Sequence, residues 1–242
     1  MPTVFLLRHG LTPMTGPVLS GRMPGVHLDE RGQQQAMVAA QRLAVLPLAA
    51  VVTSPLERCA ETAKAVLKAQ RAAGRAPASK TDRRLLECDY GDWTGKQIKT
   101  LVKDPLWPVV QAHPSGATFP GGESMAAMAQ RSVRAIRDLD AQLASSHAPD
   151  ALWVACSHGD VIKSILADAL GMHLDLFQRI VVDPCSISAV RYTAGRPFVL
   201  VSNDTTGELT RFVPAPVKSG RKPRRAASSD ATVGGGAGAG AV

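Results

Sequence analysis

The chain has 242 residues, of which 45% are hydrophobic and only 4% aromatic, and a net charge of +8. This is enough apolar residues for one sizeable α/β domain whose core rests on Ala, Val and Leu. The sequence lacks the long apolar run of a membrane span and the amino-terminal pattern of a signal peptide, so we expect neither.

Composition divides the chain into two regions. We expect a globular domain over residues 1–213 and a disordered, basic, Gly/Ala-rich tail over residues 214–242. The tail has five cations and one anion, so it contributes +4 of the +8. It cannot bury enough apolar surface to offset the entropy of ordering it. No aromatic residue accompanies its charge, so a solubilising tail is favoured over a nucleic-acid tether.

The hydrophobic patterns predict strands alternating with helices. We expect strands over 3–8, 49–53, 84–87, 151–156, 186–192 and 197–202, helices over 30–45, 56–73, 123–145 and 160–171, and a loop-rich insert with one short helix over 92–122. This alternation predicts an α/β fold. The expected fold is a three-layer sandwich, with helices on both faces of a mostly parallel central sheet that carries an antiparallel edge strand.

Two strand ends carry the same pattern of residues. The buried run over 3–7 ends in Arg8, His9 and Gly10, and the run over 151–156 leads into His158 and Gly159. Carboxyl ends of strands are where open α/β sheets bind ligands, so the two imidazoles are expected at one edge. Between them, a third strand leads through Ser-Pro into a helix that has Arg58 in its first turn.

With these motifs the chain resembles the histidine phosphatase superfamily, which includes phosphoglycerate mutases and phosphatases. The matching strings, in the family's order, are LLRHGLT, SPLERCAETA, LLECDYGDWTG, PGGES and CSHGDVIK. The resemblance covers about residues 3 to 213. It implies a phosphoglycerate mutase-like fold and a phosphohistidine intermediate.

The chemistry of a phosphomonoester site assigns roles to the charged residues. Arg8 and Arg58 offer planar guanidinium forks that match phosphate oxygens, and His158, if protonated, adds a third donor. His9 is the expected nucleophile, with its other ring nitrogen held by a backbone carbonyl near Gly10. The resemblance implies these four roles. No cluster of residues suggests a metal, and no cofactor is expected.

The leaving alkoxide needs a proton, and Glu87 is the candidate general acid. Asp89 competes for this role, but the family places the acid four residues before the glycine, which selects Glu87. Burial beside Leu85, Leu86 or Tyr90 is expected to raise the pKa of its carboxyl group.

Three further residues are predicted near the phosphate. Thr15 replaces an Asn that touches phosphate in many relatives, and Gly21 matches a family glycine. Arg22 is an extra cation that steers anionic substrates or is simply solvated.

The insert bears on the choice between phosphatase and mutase. Mutases of this family carry a longer, basic insert after the acid segment, whereas the basic residues between 96 and 120 are only Lys96, Lys99 and Lys103. We therefore favour metal-independent hydrolysis of a small phosphorylated metabolite. The alternatives are a phosphoglycerate-type phosphomutase and a non-catalytic phospholigand-binding protein.

The four cysteines form no CxxC pair, and Cys59 and Cys156 fall in apolar patterns of buried residues. A cytoplasmic, reducing location is expected. The sequence leaves the oligomeric state open, including a homodimer.

Overall fold

A mixed six-stranded sheet runs through the middle of the molecule, in the order β3-β2-β4-β1-β5-β6. The computed structural model describes residues 1–148 and 150–214, so nearly all of the predicted tail lies outside the described residues. The strands are β1 (Thr3–Arg8), β2 (Leu48–Thr53), β3 (Ala78–Thr81), β4 (Leu152–Ser157), β5 (Ile187–Tyr192) and β6 (Pro197–Asp204). The pairings of β1, β2, β3 and β4 are parallel, and β5 pairs antiparallel with both β1 and β6.

Helices cover both faces of the sheet. They are α1 (Glu30–Leu43), α2 (Glu57–Ala72), α3 (Ile98–Leu101), α4 (Trp107–Ala112), α5 (Met125–Ser146) and α6 (Gly159–Ala169). α1 and α2 pack together on one face, and α5 and α6 pack together on the other. The predicted three-layer α/β sandwich is therefore confirmed. None of the helices in the described residues is long and apolar enough to cross a membrane.

Alternation along β1 divides the core into two halves. Val4 and Leu6 belong to the cluster that contains α5 and α6, whereas Phe5 and Leu7 belong to the cluster that contains α1 and α2. Successive side chains of a strand point to opposite faces, so a continuously apolar strand supplies both halves of the core. This burial anchors the strand whose end carries the first histidine.

The register of the parallel strands brings their polar ends together. Arg8 pairs with Ser157 on β4, and Thr53 of β2 pairs with Cys156. The residues that follow these strands therefore emerge side by side at one edge of the sheet. The edge is the carboxyl side, where the two His-Gly corners were expected.

The predicted strand over 84–87 is wrong. The third strand lies earlier, at Ala78–Thr81, and all four of its residues are exposed, as suits an edge strand. Residues Arg83–Leu85 form a single 3₁₀ turn, capped by the Asp82 carboxylate accepting from the Arg84 amide. Leu85 and Leu86 are apolar because they are buried in the core, and not because they pair in the sheet.

The insert also differs from the prediction. It contains two short α-helices, α3 and α4, rather than one. Their apolar residues pack on the main core through Leu101, Val110 and the stacked rings of Trp93 and Trp107, whose centroids lie 6.1 Å apart.

Candidate active site

A cavity of about 420 Å³ opens at the carboxyl ends of β1 and β4. It takes its walls from the two His-Gly corners, the loop that follows β1, the start of α2, the insert and the segment before β5. The lining residues are Arg8, His9, Thr15, Gly16, Val18, Leu19, Ser20, Gly21, Arg58, Glu87, Tyr90, Ile98, Gly159, Asp160, Lys163, Gln178, Ile180, Val181 and Val182. Four of the five predicted catalytic residues are among them.

His9 has the geometry of a nucleophilic imidazole. Its Nδ1 lies 2.8 Å from the Gly10 carbonyl oxygen, the hydrogen bond expected from the sequence. Because a carbonyl only accepts, Nδ1 carries the proton and Nε2 keeps its lone pair. Burial, followed by the charges of Arg58 and Arg8, holds the pKa of His9 well below its usual value, so the ring is neutral near pH 7.

Gly10 is required at this corner because the backbone is crowded. A Cβ atom at residue 10 would lie 2.5 Å from the carbonyl oxygen of Gly32, in the first turn of α1. Its amide donates to the Thr62 hydroxyl at 3.2 Å. The corner that presents His9 is thus wedged between α1 and α2.

Arg8 and Arg58 have unused donors beside His9. Arg8 Nη1 donates to the Val182 carbonyl at 2.6 Å, and Arg58 Nη2 donates to the Gly21 carbonyl at 2.7 Å. Arg58 Nε points at His9 Nε2 across 3.3 Å. Arg8 Nε and Arg58 Nη1 are buried and have no hydrogen-bond partner within the described residues. Buried charged donors without partners are costly, so their presence indicates an anion-binding site.

His158 lies behind Arg58 and does not line the cavity. Its Nδ1 is 3.3 Å from Arg58 Nη2, which can only donate, so its Nε2 carries the proton toward the Ser54 hydroxyl at 2.8 Å. Burial and the Arg58 charge lower the pKa of His158 well below its usual value. The structure therefore places a neutral His158 where it orients Arg58, and its direct contact with phosphate stays a prediction.

Glu87, and not Asp89, faces the cavity. Glu87 is 8% exposed, and its Oε1 accepts from the Cys88 amide at 3.0 Å. Burial, helped by the nearby Asp160 carboxylate, raises its pKa to about 7, as the sequence led us to expect. The Asp89 side chain is 40% exposed and is paired with Arg22 at 3.2 Å.

Arg22 was predicted to lie near the phosphate, but its guanidinium group binds other protein residues instead. Its Nε donates to the Glu87 carbonyl oxygen at 2.9 Å, and its two terminal nitrogens bind Asp89 and Glu123. It does not line the cavity. Two of these partners, Glu87 and Asp89, lie in the acid segment (residues 85–93), and the third is Glu123. With all three nitrogens bound, the geometry argues against a phosphate contact and makes Arg22 a support for Glu87.

Sequence reasoning missed a second support for the acid segment. Arg131 of α5 donates to the carbonyl oxygens of Arg84, Leu86 and Glu87 and forms a 2.6 Å ion pair with Glu123. Glu123 lies in the PGGES string, and this motif could have pointed to Glu123 as one member of the Arg131–Glu123 ion pair. For Arg131 the sequence offered no signal beyond a polar position on a helix.

Thr15 and Gly21 both line the cavity, and their contact with phosphate stays a prediction. The Thr15 hydroxyl accepts from the Thr12 amide at 3.0 Å. Gly21 adopts a left-handed φ of +48°, and a Cβ there would lie 2.9 Å from the Tyr90 ring. Its carbonyl can thus approach Arg58 only because residue 21 has no side chain.

Tyr90 and Asp160 were also missed as site residues. The Tyr90 hydroxyl donates to Asp160 Oδ2 at 2.7 Å, and both residues line the cavity together with Glu87. Within the described residues, no group of three or more His, Cys, Asp or Glu side chains is placed to hold a metal ion.

Comparison with known proteins identifies the family of the chain. The model of the histidine phosphatase superfamily (branch 1) matches residues 4–205. Among curated proteins, the probable phosphoglycerate mutase GpmB of Cronobacter sakazakii is 30% identical over 198 residues, covering 79% of this chain and 86% of that protein.

Solved structures of similar fold include phosphatases. A mycobacterial glucosyl-3-phosphoglycerate phosphatase superposes with a TM-score of 0.72 at 25% identity, covering 83% of this chain and 98% of the other. The protein called mycobacterial hydrolase 1 superposes with a TM-score of 0.74 at 25% identity, covering 84% and 99%. With the family match spanning both His-Gly corners and everything between them, the chain belongs to the histidine phosphatase superfamily.

Proposed function

We propose that the protein hydrolyses a small phosphomonoester through a phosphohistidine on His9, without a metal. One observation carries the proposal. Two buried guanidinium nitrogens, Arg8 Nε and Arg58 Nη1, lack partners within the described residues, and both arginines line the cavity together with His9, whose neutral ring has its Nε2 3.3 Å from Arg58 Nε. Two cations match a phosphate dianion, and the lone pair is a nucleophile for phosphorus.

In the first step, His9 Nε2 attacks phosphorus and the ester P–O bond breaks. The guanidinium groups of Arg8 and Arg58 stabilise the charge on the transferring phosphoryl oxygens. Glu87 in its acid form gives its proton to the leaving oxygen, which departs as an alcohol. A carboxyl group with a pKa of about 7 is well suited to this, because a substantial fraction is protonated near neutral pH.

In the second step, the Glu87 carboxylate takes a proton from water as that water attacks the phosphohistidine. The P–N bond breaks, inorganic phosphate leaves, and both His9 and protonated Glu87 are restored. The Gly10 carbonyl stabilises the Nδ1–H tautomer in both steps, so that Nε2 is the only ring nitrogen able to carry the phosphoryl group.

Hydrolysis is favoured over mutase activity by the distribution of cations. Lys96, Lys99 and Lys103 of the insert are exposed and do not line the cavity. A mutase that holds a carboxylated sugar-acid phosphate needs cations beyond the phosphate subsite, and besides Arg8 and Arg58 the described cavity lining contains one lysine or arginine, Lys163 of α6. The name of the Cronobacter relative keeps phosphoglycerate mutase as the second candidate.

The decisive experiment uses His9→Ala against His27→Ala, a histidine that is exposed and lies outside the cavity. With an aryl phosphate, His9→Ala is expected to lose all measurable turnover while melting cooperatively, and His27→Ala to keep wild-type turnover. Acid-labile phosphate trapped on wild-type protein and absent from His9→Ala would identify the intermediate. Turnover retained in His9→Ala would exclude this mechanism.

The same preparation separates the alternatives. Incubation with a phosphoglycerate distinguishes isomerisation from release of inorganic phosphate. A protein that binds phosphate but neither releases it from esters nor moves it between hydroxyls would be a non-catalytic binder.

A further inference from the structure

A buried serine lies at the inner end of the hydrogen-bond chain that leads to Arg58. Ser54 is fully buried, and its Oγ lies 2.8 Å from His158 Nε2. His158 Nδ1 in turn lies 3.3 Å from Arg58 Nη2. Ser54 does not line the cavity, and neither step of the proposed hydrolysis uses it. Its hydroxyl reaches the phosphate site only through the other two side chains.

The sheet fixes the position of this hydroxyl. Ser54 directly follows β2, and its amide donates to the Cys156 carbonyl of β4 at 3.0 Å. The pairing of β2 with β4 therefore continues for one residue beyond Thr53. Pro55 has no amide hydrogen and cannot extend the pairing further. The serine is thus held against the strand that leads into the corner with His158.

The neighbours of His158 decide which of its ring nitrogens carries the proton. A neutral imidazole has one donor and one acceptor nitrogen, and either tautomer is available to it. Because Arg58 can only donate, a proton on Nδ1 would set two donors against each other. Nε2 has two neighbours, the Ser54 hydroxyl and the Cys59 thiol at 3.4 Å, whose sulfur is a weak acceptor. Ser54 is therefore the strong acceptor that favours the proton on Nε2.

This tautomer directs the Arg58 guanidinium group. Nη2 donates to the Gly21 carbonyl at 2.7 Å and faces the His158 lone pair, while Nε points at His9 Nε2. Nη1 is buried and has no partner within the described residues. A guanidinium group is planar, so holding Nη2 and Nε also sets the direction of Nη1. Without the acceptor on His158, one of these constraints is lost.

We propose that Ser54 is a positioning residue whose hydroxyl holds His158 in the Nε2–H tautomer and thereby keeps Arg58 aimed at the phosphate. The proposal rests on the proposed phosphatase function and adds to it a residue that touches no substrate. Hydrogen bonds made by the second nitrogen of a functional histidine commonly fix its tautomer in this way.

The test compares Ser54→Ala with Ser188→Ala in the full chain. Ser188 is also buried, accepts one hydrogen bond, from the Asn203 amide at 3.0 Å, and lies outside the cavity lining. Each variant thus removes a buried acceptor, and both should melt cooperatively. Ser54→Cys, which fills the same space with a weak acceptor, is the second variant and should behave like Ser54→Ala.

Two readouts require no turnover. The ¹⁵N chemical shifts of the His158 ring distinguish the two neutral tautomers, and calorimetry measures the affinity for tungstate, a phosphate-like dianion. Wild type and Ser188→Ala should show the Nε2–H form and equal affinity. Ser54→Ala should populate the Nδ1–H form and bind tungstate about tenfold or more weakly, the usual effect of losing a hydrogen bond to a charged group.

Kinetics separate this role from that of the general acid. In Ser54→Ala, kcat/KM should fall by the same factor for alkyl and aryl phosphates, because Glu87 keeps its position. A wild-type His158 protonated on Nδ1 overturns the proposal, as do Ser54 variants that keep either the Nε2–H tautomer or the wild-type tungstate affinity. If the wild-type protein hydrolyses no ester, the proposed reaction fails, and the tautomer and the tungstate affinity still decide the role of Ser54.

Discussion

At the scale of single residues, the site depends on a histidine and a glutamate whose pKa values are shifted away from their usual values. His9 is held neutral by burial and two arginines, although a solvated histidine would be partly protonated near pH 7. Glu87 is held partly protonated at the same pH by burial and by Asp160. A nucleophile with a free lone pair and an acid with a proton to give therefore coexist near neutral pH.

The role of Glu87 makes a prediction about leaving groups. Glu87→Gln should slow alkyl phosphates by about 10²- to 10⁴-fold, the usual contribution of a general acid. An aryl phosphate with a low-pKa leaving group needs little protonation and should lose far less in the first step. Single-turnover measurement of alcohol or phenol release checks this.

Asp89→Asn is the matched control for that variant. Its carboxylate is exposed and paired with Arg22, so the leaving-group dependence should stay as in the wild type. The opposite behaviour of the two variants would make Asp89 the acid. If neither variant showed the dependence, the proton would come from another group.

The pH profile follows from the same pKa. Because Glu87 must be protonated in the first step, kcat/KM for an alkyl phosphate should fall as the pH rises through about 7. The low pKa of His9 keeps the nucleophile neutral throughout this range. Glu87→Gln should remove this limb from the profile, and a limb that persisted in the variant would assign the titration to another group.

At the scale of elements, the site is the meeting point of three parallel strand ends and one irregular segment. β1, β2 and β4 deliver His9, Ser54 and His158 through their register. The acid segment after β3 has no sheet pairing to hold it, so Arg22 and Arg131 hold its backbone carbonyls instead. Hydrogen bonds from arginine side chains thus fix the position of the acid segment, whereas strand pairing fixes the two His-Gly corners.

Arg22→Ala should therefore displace the acid without touching phosphate. We expect the free energy of unfolding to fall by about 1 kcal/mol, and alkyl phosphates to be slowed more than aryl phosphates, a weaker form of the Glu87→Gln signature. Arg134→Ala, at an 80% exposed side chain of α5, is the control. Equal slowing of both substrate types would mean that Arg22 has a general structural or phosphate-binding role.

At the scale of the whole molecule, the last described residues pack against the start of the sheet. Leu209 is buried, and the ring of Phe212 packs edge-on against Phe5 of β1 at 5.3 Å. The last described residues thus cover the start of the strand that leads to His9. The composition of the residues beyond them predicts no such contacts.

Two truncations test this boundary. Deletion of residues 214–242 should leave the thermal midpoint and phosphatase activity nearly unchanged, because such a terminus makes few buried contacts. Deletion of residues 209–242 should lower the midpoint by several degrees, since it removes Leu209 and Phe212 from the core. A large loss with the shorter deletion would mean that the tail docks on the domain or covers the cavity.

The sequence by itself determined the layered architecture and the two His-Gly corners, because strand and helix periodicity and a turn-forming glycine are local properties. Through motif order it also selected Glu87 and Gly21, which both line the cavity. It misplaced β3, because apolar residues at 85–86 that are buried without pairing look the same as strand residues. Only the tertiary structure decided that Arg22 binds the acid segment, that Arg131 supports it, and that Asp160 faces the cavity. These depend on contacts between residues 44 to 101 positions apart, such as Arg131 with Glu87 and Arg22 with Glu123, and no local pattern encodes which distant carboxylate or carbonyl a side chain will meet.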